Sequence, residues 1–247
     1  MIVVENEAEN EGDEYKMEIK NVHTAENLAT FTLTKTTPAY VNSLRRAVIS
    51  LVPSLAIEDV QIYENNSALY DEIVALRLGL LPLTTDLKSY ELPESYDTTT
   101  FTAASSVKLS LEAQGPCTVT ADQLVTKDPK VVCAFPKMPI VLLLKGQSIK
   151  LEATAVLGQG KTHYKWAPGT AYYQHVPVVN KKDVLPKDLA EKKSQEVLDE
   201  DATTKEDEFI FTIESWGQLS PKDIMVEALT QLNTELSNIS KLAEGLK

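Results

Sequence analysis

The chain is poor in the residues that carry metal and nucleophilic chemistry. Its 247 residues include two cysteines and three histidines. Cys117 and Cys133 form no CxxC pair, and His163 and His175 lack a finger-like spacing, so no zinc site is predicted. No histidine follows the pattern of a catalytic triad either. We expect both cysteines to pack as small buried hydrophobes.

Membrane and export signals are missing as well. The longest apolar run, Ile140–Leu144, is far too short to span a bilayer. The first residues, MIVVENEAEN, do not form a basic, apolar leader. Together with the scarcity of cysteine, this pattern predicts a reducing, cytoplasmic location and no membrane contact.

Positive charge is scarce. The chain has 24 Lys and Arg against 36 Asp and Glu, which gives a formal net charge of −12. A surface that binds duplex nucleic acid needs clustered Lys and Arg to neutralise phosphates. We therefore expect no direct, specific DNA contact, and any nearby nucleic acid to be held by partner proteins.

A proline-bounded helix over residues 38–53, PAYVNSLRRAVISLVP, is strongly specified by local sequence. Thr36 or Thr37 can cap its N-terminus, Pro38 suits the first turn and Pro53 stops the helix. Its apolar face consists of Val41, Leu44, Val48 and Leu51.

Two arginines flank this face. Arg45 and Arg46 project to either side of it. The side chains can reach solvent while their stems cover apolar surface. Alternatively, the planar guanidinium groups can hold carboxylates at an interface. The helical pattern leaves both interpretations open.

The segments around this helix differ sharply in character. Residues 1–14 are acidic and are expected to form a disordered tail. Apolar and polar residues alternate between Met17 and Leu33, which predicts two strands. Short strands separated by glycine and proline are predicted for the middle of the chain. Residues 180–208 are mostly charged and cannot supply a core, so they are predicted to form an exposed insertion.

A long final helix is predicted after a strand at Phe209–Ile213. Ser220 is its expected N-cap, with Pro221 in the first turn and Asp223 at the third position. Apolar residues then recur at alternating spacings of four and three: Met225, Leu229, Leu232, Leu236, Ile239, Ala243 and Leu246. This seam can pack on the chain's own sheet. Its persistence to residue 246 favours a mate on another chain.

A phosphate-loop-like pattern occurs at Ala155, Gly160, Lys161 and Thr162. A functional phosphate loop needs a helix immediately after it, so that the N-terminal amides face the phosphates. Here the following residues are HYKWAPG, in which proline and glycine break a helix. The context therefore disfavours nucleotide hydrolysis.

Three segments together resemble the D-type subunit family of archaeal RNA polymerases, relatives of the bacterial alpha N-terminal domain. They are NSLRR, SLAIEDVQIYENNSALYDEIVALRLGLLPL and FIFTIESWGQLSPKDIMVEALTQL, and they come in the family's order. The resemblance implies an α+β fold. In that fold, an alpha-like dimerisation module, an antiparallel sheet with two packed helices, is formed by residues 15–53 and 205–247. A β-rich domain would be inserted at 54–178, followed by a charged insertion at 179–204.

The resemblance also implies where cofactors are held. Some relatives bind an iron–sulfur cluster on cysteines inserted after the position that matches Tyr173. This chain has no cysteine between Gln174 and Glu208, so no cluster and no other cofactor is expected in it. Mg²⁺ and Zn²⁺ would lie in partner subunits. The resembling GxGKxHxKW loop implies interface or packing roles for His163, Lys165 and Trp166.

The function implied is a non-catalytic assembly platform of DNA-directed RNA polymerase. The chain would pair with the alpha-like subunit L, and would contact the small zinc-bearing subunits N and P and the second-largest, B-type subunit. The candidate partner-binding residues lie on the two helices: Asn42, Leu44, Arg45, Arg46, Val48, Met225, Leu229, Leu232, Leu236 and Ile239. Two alternatives stay open, a free-standing acidic homodimer that binds other proteins and a nucleotide-using enzyme built on the GQGKT loop.

Overall fold

The structure is a computed structural model and describes residues 17–93, 96, 101–177 and 204–245. The helices are α1 (Pro38–Ser50), α2 (Asp71–Gly79) and α3 (Pro221–Glu244). The strands are β1 (Glu18–Thr24), β2 (Leu28–Thr34), β3 (Pro53–Asn65), β4 (Ser106–Gln114), β5 (Cys117–Thr120), β6 (Val125–Thr126), β7 (Pro139–Leu143), β8 (Ser148–Gln159), β9 (Gly169–Pro177) and β10 (Thr204–Ser215).

The first sheet carries both long helices. Its strands are antiparallel in the order β1-β2-β10-β9. Alternate residues of β2 and β10 point to one face, where Phe31 stacks on Phe211 with ring centroids 5.4 Å apart. Helices α1 and α3 cover this face through Leu44, Val48 and Ile224, all of which are fully buried. The predicted α+β class, an antiparallel sheet with two packed helices, is confirmed.

A second core lies between the remaining strands. The order β3-β8-β4-β6 forms one sheet, and β5 and β7 form a small ribbon beside it. Helix α2 packs on this core through Val74 and Leu78, which are fully buried. The predicted strand-rich middle of the chain corresponds to this part of the structure. Its status as a separate domain stays a prediction.

Strand β9 departs from the predicted boundary. Residues 169–177 are expected from the sequence to belong to the inserted domain, yet β9 pairs with β10 in the first sheet. Ala171 lies opposite Ile213 and is buried against the helices, which gives this strand its place. The first sheet therefore takes its fourth strand from the end of the segment between α1 and the charged insertion.

Three predictions concern residues that the structure does not describe. The acidic tail at 1–14 and the charged insertion at 179–204, except Thr204, lie outside the described residues. Leu246, the last seam position, lies outside them as well. These predictions are neither supported nor contradicted.

The predicted helix caps are present. The Thr37 hydroxyl accepts a hydrogen bond from the backbone N–H of Tyr40 at 3.4 Å. At α3, the Ser220 hydroxyl accepts from the N–H of Asp223 at 3.1 Å and donates to its carboxylate at 2.7 Å. These bonds satisfy N–H groups that a helix start would otherwise leave unpaired.

We expect Ser220→Ala to lower the free energy of unfolding by about 1 kcal/mol, because it removes this cap. Ser237→Ala is the matched control, since Ser237 is an exposed serine in the interior of the same helix. Alanine is the better helix former there, so stability should stay the same or rise slightly. Chemical denaturation measures both, and equal losses at the two positions would contradict the capping role.

Candidate partner-binding surface

Helix α3 changes environment along its length. Ile224 and Ala228 near its start are fully buried in the first core. One turn further on, Leu229 and Leu232 are only partly buried against it. From Asn233 to Gly245 every residue except Glu235 is exposed. The second half of α3 therefore extends past the body that holds the first half.

The exposed half retains its apolar seam. Leu236 is 56% exposed, Ile239 is 60% exposed and Leu242 is 73% exposed. Their spacing of three residues places them along one side of the helix. Contiguous apolar side chains without cover are typical of an interaction surface. Met225, Leu229 and Leu232 continue the same seam toward the core.

Leu242 is absent from the residues predicted from the sequence. The strict alternation of four and three passes from Ile239 to Ala243 and omits it. An i, i+3 step from Ile239 would have included Leu242, so the signal was present in the helical pattern. Val226, which is 52% exposed, was also missed because it lies away from the seam.

Helix α1 presents two classes of candidate residue. Leu44 and Val48 are fully buried by the chain's own sheet. Their side chains cannot contact a partner while this fold is kept, so their role is to hold α1 in place. The physical reason is that the apolar face of a helix packs on the nearest apolar surface, here the face of β2 and β10.

Asn42 and Arg45 are joined by hydrogen bonds on the accessible side of α1. The Arg45 guanidinium donates from Nε and from a terminal nitrogen to Asn42 Oδ1, at 3.1 and 3.0 Å. This one-turn bond fixes the fork but leaves its charge unneutralised, because the amide is neutral. Arg46 is exposed. Neither arginine forms an ion pair with any residue that the structure describes.

Tyr40, which was not among the predicted residues, lies beside Met17, Lys35 and Thr37, away from the arginine side of α1. It lies in the first turn of α1 and is 37% exposed. Partial burial raises the pKa of its phenol, so the hydroxyl stays neutral and able to donate a hydrogen bond. Such a side chain, apolar with a polar tip, suits the edge of an interface.

Residues 30–236 match the family model of the RNA polymerase Rpb3/Rpb11 dimerisation domain. The chain belongs to this family. It is 35% identical to the DNA-directed RNA polymerase subunit Rpo3 of Methanosarcina acetivorans, over 93% of this chain and 99% of that protein. Rpo3 of Pyrococcus furiosus is 33% identical over 86% of this chain and 92% of its own length. Rpo3 of Pyrobaculum aerophilum is 45% identical over 58% of this chain.

These comparisons confirm the predicted family of archaeal, alpha-like RNA polymerase subunits. The relatives carry the name Rpo3, so the family is described by that name rather than as the D-type subunits. The prediction of a DNA-directed RNA polymerase subunit that works in transcription is confirmed at the level of the family. Specific partners of this Rpo3-family chain are not identified by the comparisons.

The described part of the chain shows neither a membrane span nor clustered metal ligands. No helix there is long and apolar enough to cross a membrane. The described His, Cys, Asp and Glu side chains form no group of three or more that could hold a metal ion. Cys133 is buried, and burial raises the pKa of its thiol, which makes the reactive thiolate unfavourable.

The GQGKT loop of this Rpo3-family chain contacts the end of α1. The backbone N–H of Lys161 donates to the carbonyl of Ser50 at 3.0 Å. The Gln159 amide donates from Nε2 to the carbonyl of Leu51 at 2.7 Å. These donors satisfy carbonyls at the C-terminal end of a helix, which would otherwise lack partners. The loop thus uses its N–H groups on a protein helix.

A buried tryptophan follows the loop. Trp166 is 2% exposed and ends a short 3₁₀ turn, Tyr164–Trp166, where a phosphate loop would need a longer helix. Its indole N–H donates to the carbonyl of Val156 at 3.2 Å. The ring lies against Gly158, where an added Cβ would come within 2.4 Å of it. The packing role implied for Trp166 is therefore supported.

Lys165 is also engaged within the chain. Its Nζ lies 4.5 Å from the centre of the Trp166 ring and donates to the carbonyl of Ile57 at 2.9 Å. It also forms an ion pair with Glu58. His163 is exposed and accepts a hydrogen bond from the N–H of Lys165 at 3.1 Å. Of the three loop residues, His163 is the one whose side chain remains accessible.

We expect Gly160→Ala to destabilise the protein by about 1–3 kcal/mol, because the new methyl group would overpack the contact with α1. An ideal Cβ at Gly160 would lie 2.0 Å from the carbonyl oxygen of Ile49. Gly79→Ala is the control, since a Cβ there meets its nearest atom at an ordinary 3.5 Å. Similar denaturation midpoints for both variants would contradict the proposed close contact.

We expect Lys161→Ala to leave ATP and GTP binding unchanged from the wild-type level, because the backbone N–H groups of Lys161 and Thr162 already donate to protein carbonyls. The Lys161 side chain lies 3.7 Å from Glu235, and this exposed pair should add little stability. Isothermal titration calorimetry on both proteins measures the binding. Saturable binding that disappears in the variant would revive the nucleotide-enzyme hypothesis.

Proposed function

We propose that this chain is a non-catalytic assembly subunit of a DNA-directed RNA polymerase that pairs with the alpha-like subunit L. The single observation that carries the proposal is the exposed apolar half of α3. Leu236, Ile239 and Leu242 extend a helix seam beyond the chain's own core. Membership in the Rpb3/Rpb11 dimerisation-domain family supports the same conclusion.

The energetics favour a partner for this helix half. Burying a leucine or isoleucine side chain fully is worth about 1.5–3 kcal/mol relative to leaving it in water. A partner helix laid along Leu236 and Ile239 would gain this contribution at each position. Such a helix would continue the packing that Leu229 and Leu232 begin on the chain's own core. A heptad-like seam is well suited to helix-on-helix contact.

The accessible side of α1 supplies two charged groups. Arg45 and Arg46 have no acidic partner among the described residues, so their charges are available to carboxylates of another subunit. We infer that the larger polymerase subunits, including the second-largest, B-type one, dock near this side of α1. Docking of the zinc-bearing subunits N and P belongs to the same proposal.

Catalysis and cofactors are assigned to the partners. Phosphodiester formation from nucleoside triphosphates with Mg²⁺ would occur in the large subunits, and Zn²⁺ would be bound by the small ones. The proposed site of action is the cytoplasm. An acidic homodimer is the main alternative, because the same seam could pair with a second copy of this chain.

We expect Leu236→Glu to weaken pairing with subunit L by roughly tenfold or more, because the partner would lose apolar burial and face a carboxylate. Thr234→Glu is the matched control. It adds the same charge two residues away, at an exposed position on the opposite side of the helix from the seam. Leu236 is exposed in the chain alone, so neither change should disturb its own core.

Co-expression with subunit L followed by analytical ultracentrifugation distinguishes pairing with subunit L from self-association of this chain. Loss of the heterodimer in Leu236→Glu but not in Thr234→Glu supports pairing through the seam. A heterodimer that survives both changes contradicts it. A stable dimer of this chain alone that ignores subunit L and is lost in Leu236→Glu would favour the homodimer instead.

A further inference from the structure

The turn between β10 and α3 joins the two cores through a buried polar side chain. Gln218 is 4% exposed and lies two residues before the N-cap of α3. Its amide donates from Nε2 to the hydroxyl of Ser54 at 3.3 Å. Ser54 is fully buried at the start of β3, in the second sheet. The contact therefore links the base of the proposed pairing helix to the other sheet.

Ser54 and Thr85 extend this contact into a network. The Ser54 hydroxyl donates to the carbonyl of Trp166 at 2.8 Å. The N–H of Thr85 donates to the carbonyl of Gln218 at 2.9 Å, and the Thr85 hydroxyl accepts from the N–H of Leu55 at 3.0 Å. Gln218 thus contacts two separate segments of the second core, one through its side chain and one through its backbone.

The same turn is held by the first sheet and also packs on the segment that follows Cys133 of the second core. The N–H of Trp216 donates to the carbonyl of Pro168 at 3.0 Å, which continues the β9–β10 ladder of the first sheet. Gly217 has a φ of +87°, and a Cβ added there would lie 2.8 Å from the Cβ of Ala134. The turn therefore has little freedom to shift as long as its polar contacts hold.

One half of the Gln218 amide has no partner. Its Oε1 is buried and accepts no hydrogen bond from any residue that the structure describes. A buried, half-satisfied amide costs stability relative to an apolar side chain of the same shape. The amide gives directional contacts in return, and directional buried contacts can specify one arrangement among several that are equally well packed.

We infer that Gln218 is a buried latch, a positioning residue that sets the orientation of the first sheet and α3 relative to the second sheet. The latch consists of Gln218, Ser54 and Thr85. It does not depend on the proposed function, because it acts within the chain. Removing the amide leaves the backbone bond from Thr85 and the contacts of the GQGKT loop with α1 in place, so it should loosen the orientation without unfolding either core.

Spin-label distances in the full chain test the latch. Labels would be attached at Gln174→Cys on β9 and Ser110→Cys on β4, two exposed positions in different sheets. Every variant would carry Cys117→Ser and Cys133→Ala, so that only these two sites react. The variants to compare are Gln218→Met, which keeps the shape of the side chain, and Thr212→Val, which removes a buried hydroxyl within the first sheet alone.

We expect one narrow distance distribution in the parent and in Thr212→Val, and a broadened or two-component distribution in Gln218→Met. The melting temperature of Gln218→Met should equal or exceed that of the parent, since an unsatisfied buried group is removed. If Gln218→Met does not fold, Ser54→Ala takes its place in the experiment. This substitution removes the acceptor of the Gln218 side-chain hydrogen bond. If the variant that folds, Gln218→Met or Ser54→Ala, keeps a narrow and unshifted distribution of spin-label distances, the inference is overturned.

Discussion

Ile224 and Ala228 pack the start of α3 into the first core, and the rest of the helix extends beyond it. The two side chains are fully buried, whereas Leu236 and Ile239, further along the same helix, are mostly exposed. The first core covers only the start of this helix, whose 24 residues span about 36 Å at the usual rise. The uncovered length is the surface that a partner would cover.

Helix α1 is fixed along its apolar face and at its C-terminal end, so its position in the fold is well determined. Its apolar face packs on the first sheet, and its last carbonyls accept hydrogen bonds from Gln159 and Lys161 at the end of β8. The loop that resembles a phosphate-binding motif thus ties the second core to α1. Glycine is required there because the backbone of Gly160 approaches that of Ile49 closely. The same residues that suggested nucleotide chemistry are explained by helix capping.

The outer face of the second sheet has the opposite character from the α3 seam. Lys108 pairs with Glu152 at 2.6 Å and Lys150 pairs with Glu112 at 2.8 Å, each across neighbouring strands. Exposed pairs of this kind add little stability, but they keep a sheet face hydrated and free of apolar patches. The exposed seam of α3 is therefore a better candidate for a large apolar contact than this face of the second sheet.

Local signals predicted the helices well, and tertiary contacts decided what the sequence left open. The caps at Thr37 and Ser220 are short-range features, so the starts of α1 and α3 were predictable. The end of α1 was predicted too late, because the helix ends at Ser50 and Pro53 is already the first residue of β3. Periodicity defines a helix face but not what covers it, so Leu44 in the core and Leu236 in solvent looked alike. Residues 169–177 were assigned to the inserted domain because their partner strand, β10, follows only after a long insertion in sequence. The family itself was recognisable from three motifs.

Amide hydrogen exchange along α3, in the chain alone and with subunit L, tests the pairing surface most directly. Residues 233–244 are exposed in the chain alone except for the partly buried Glu235, and a helix end without packing opens readily. We expect these amides to exchange quickly in the isolated chain and to become protected with subunit L, while amides of the second sheet stay unchanged. Equal exchange of residues 233–244 in both samples, under conditions where the two chains co-purify, would contradict pairing through this helix.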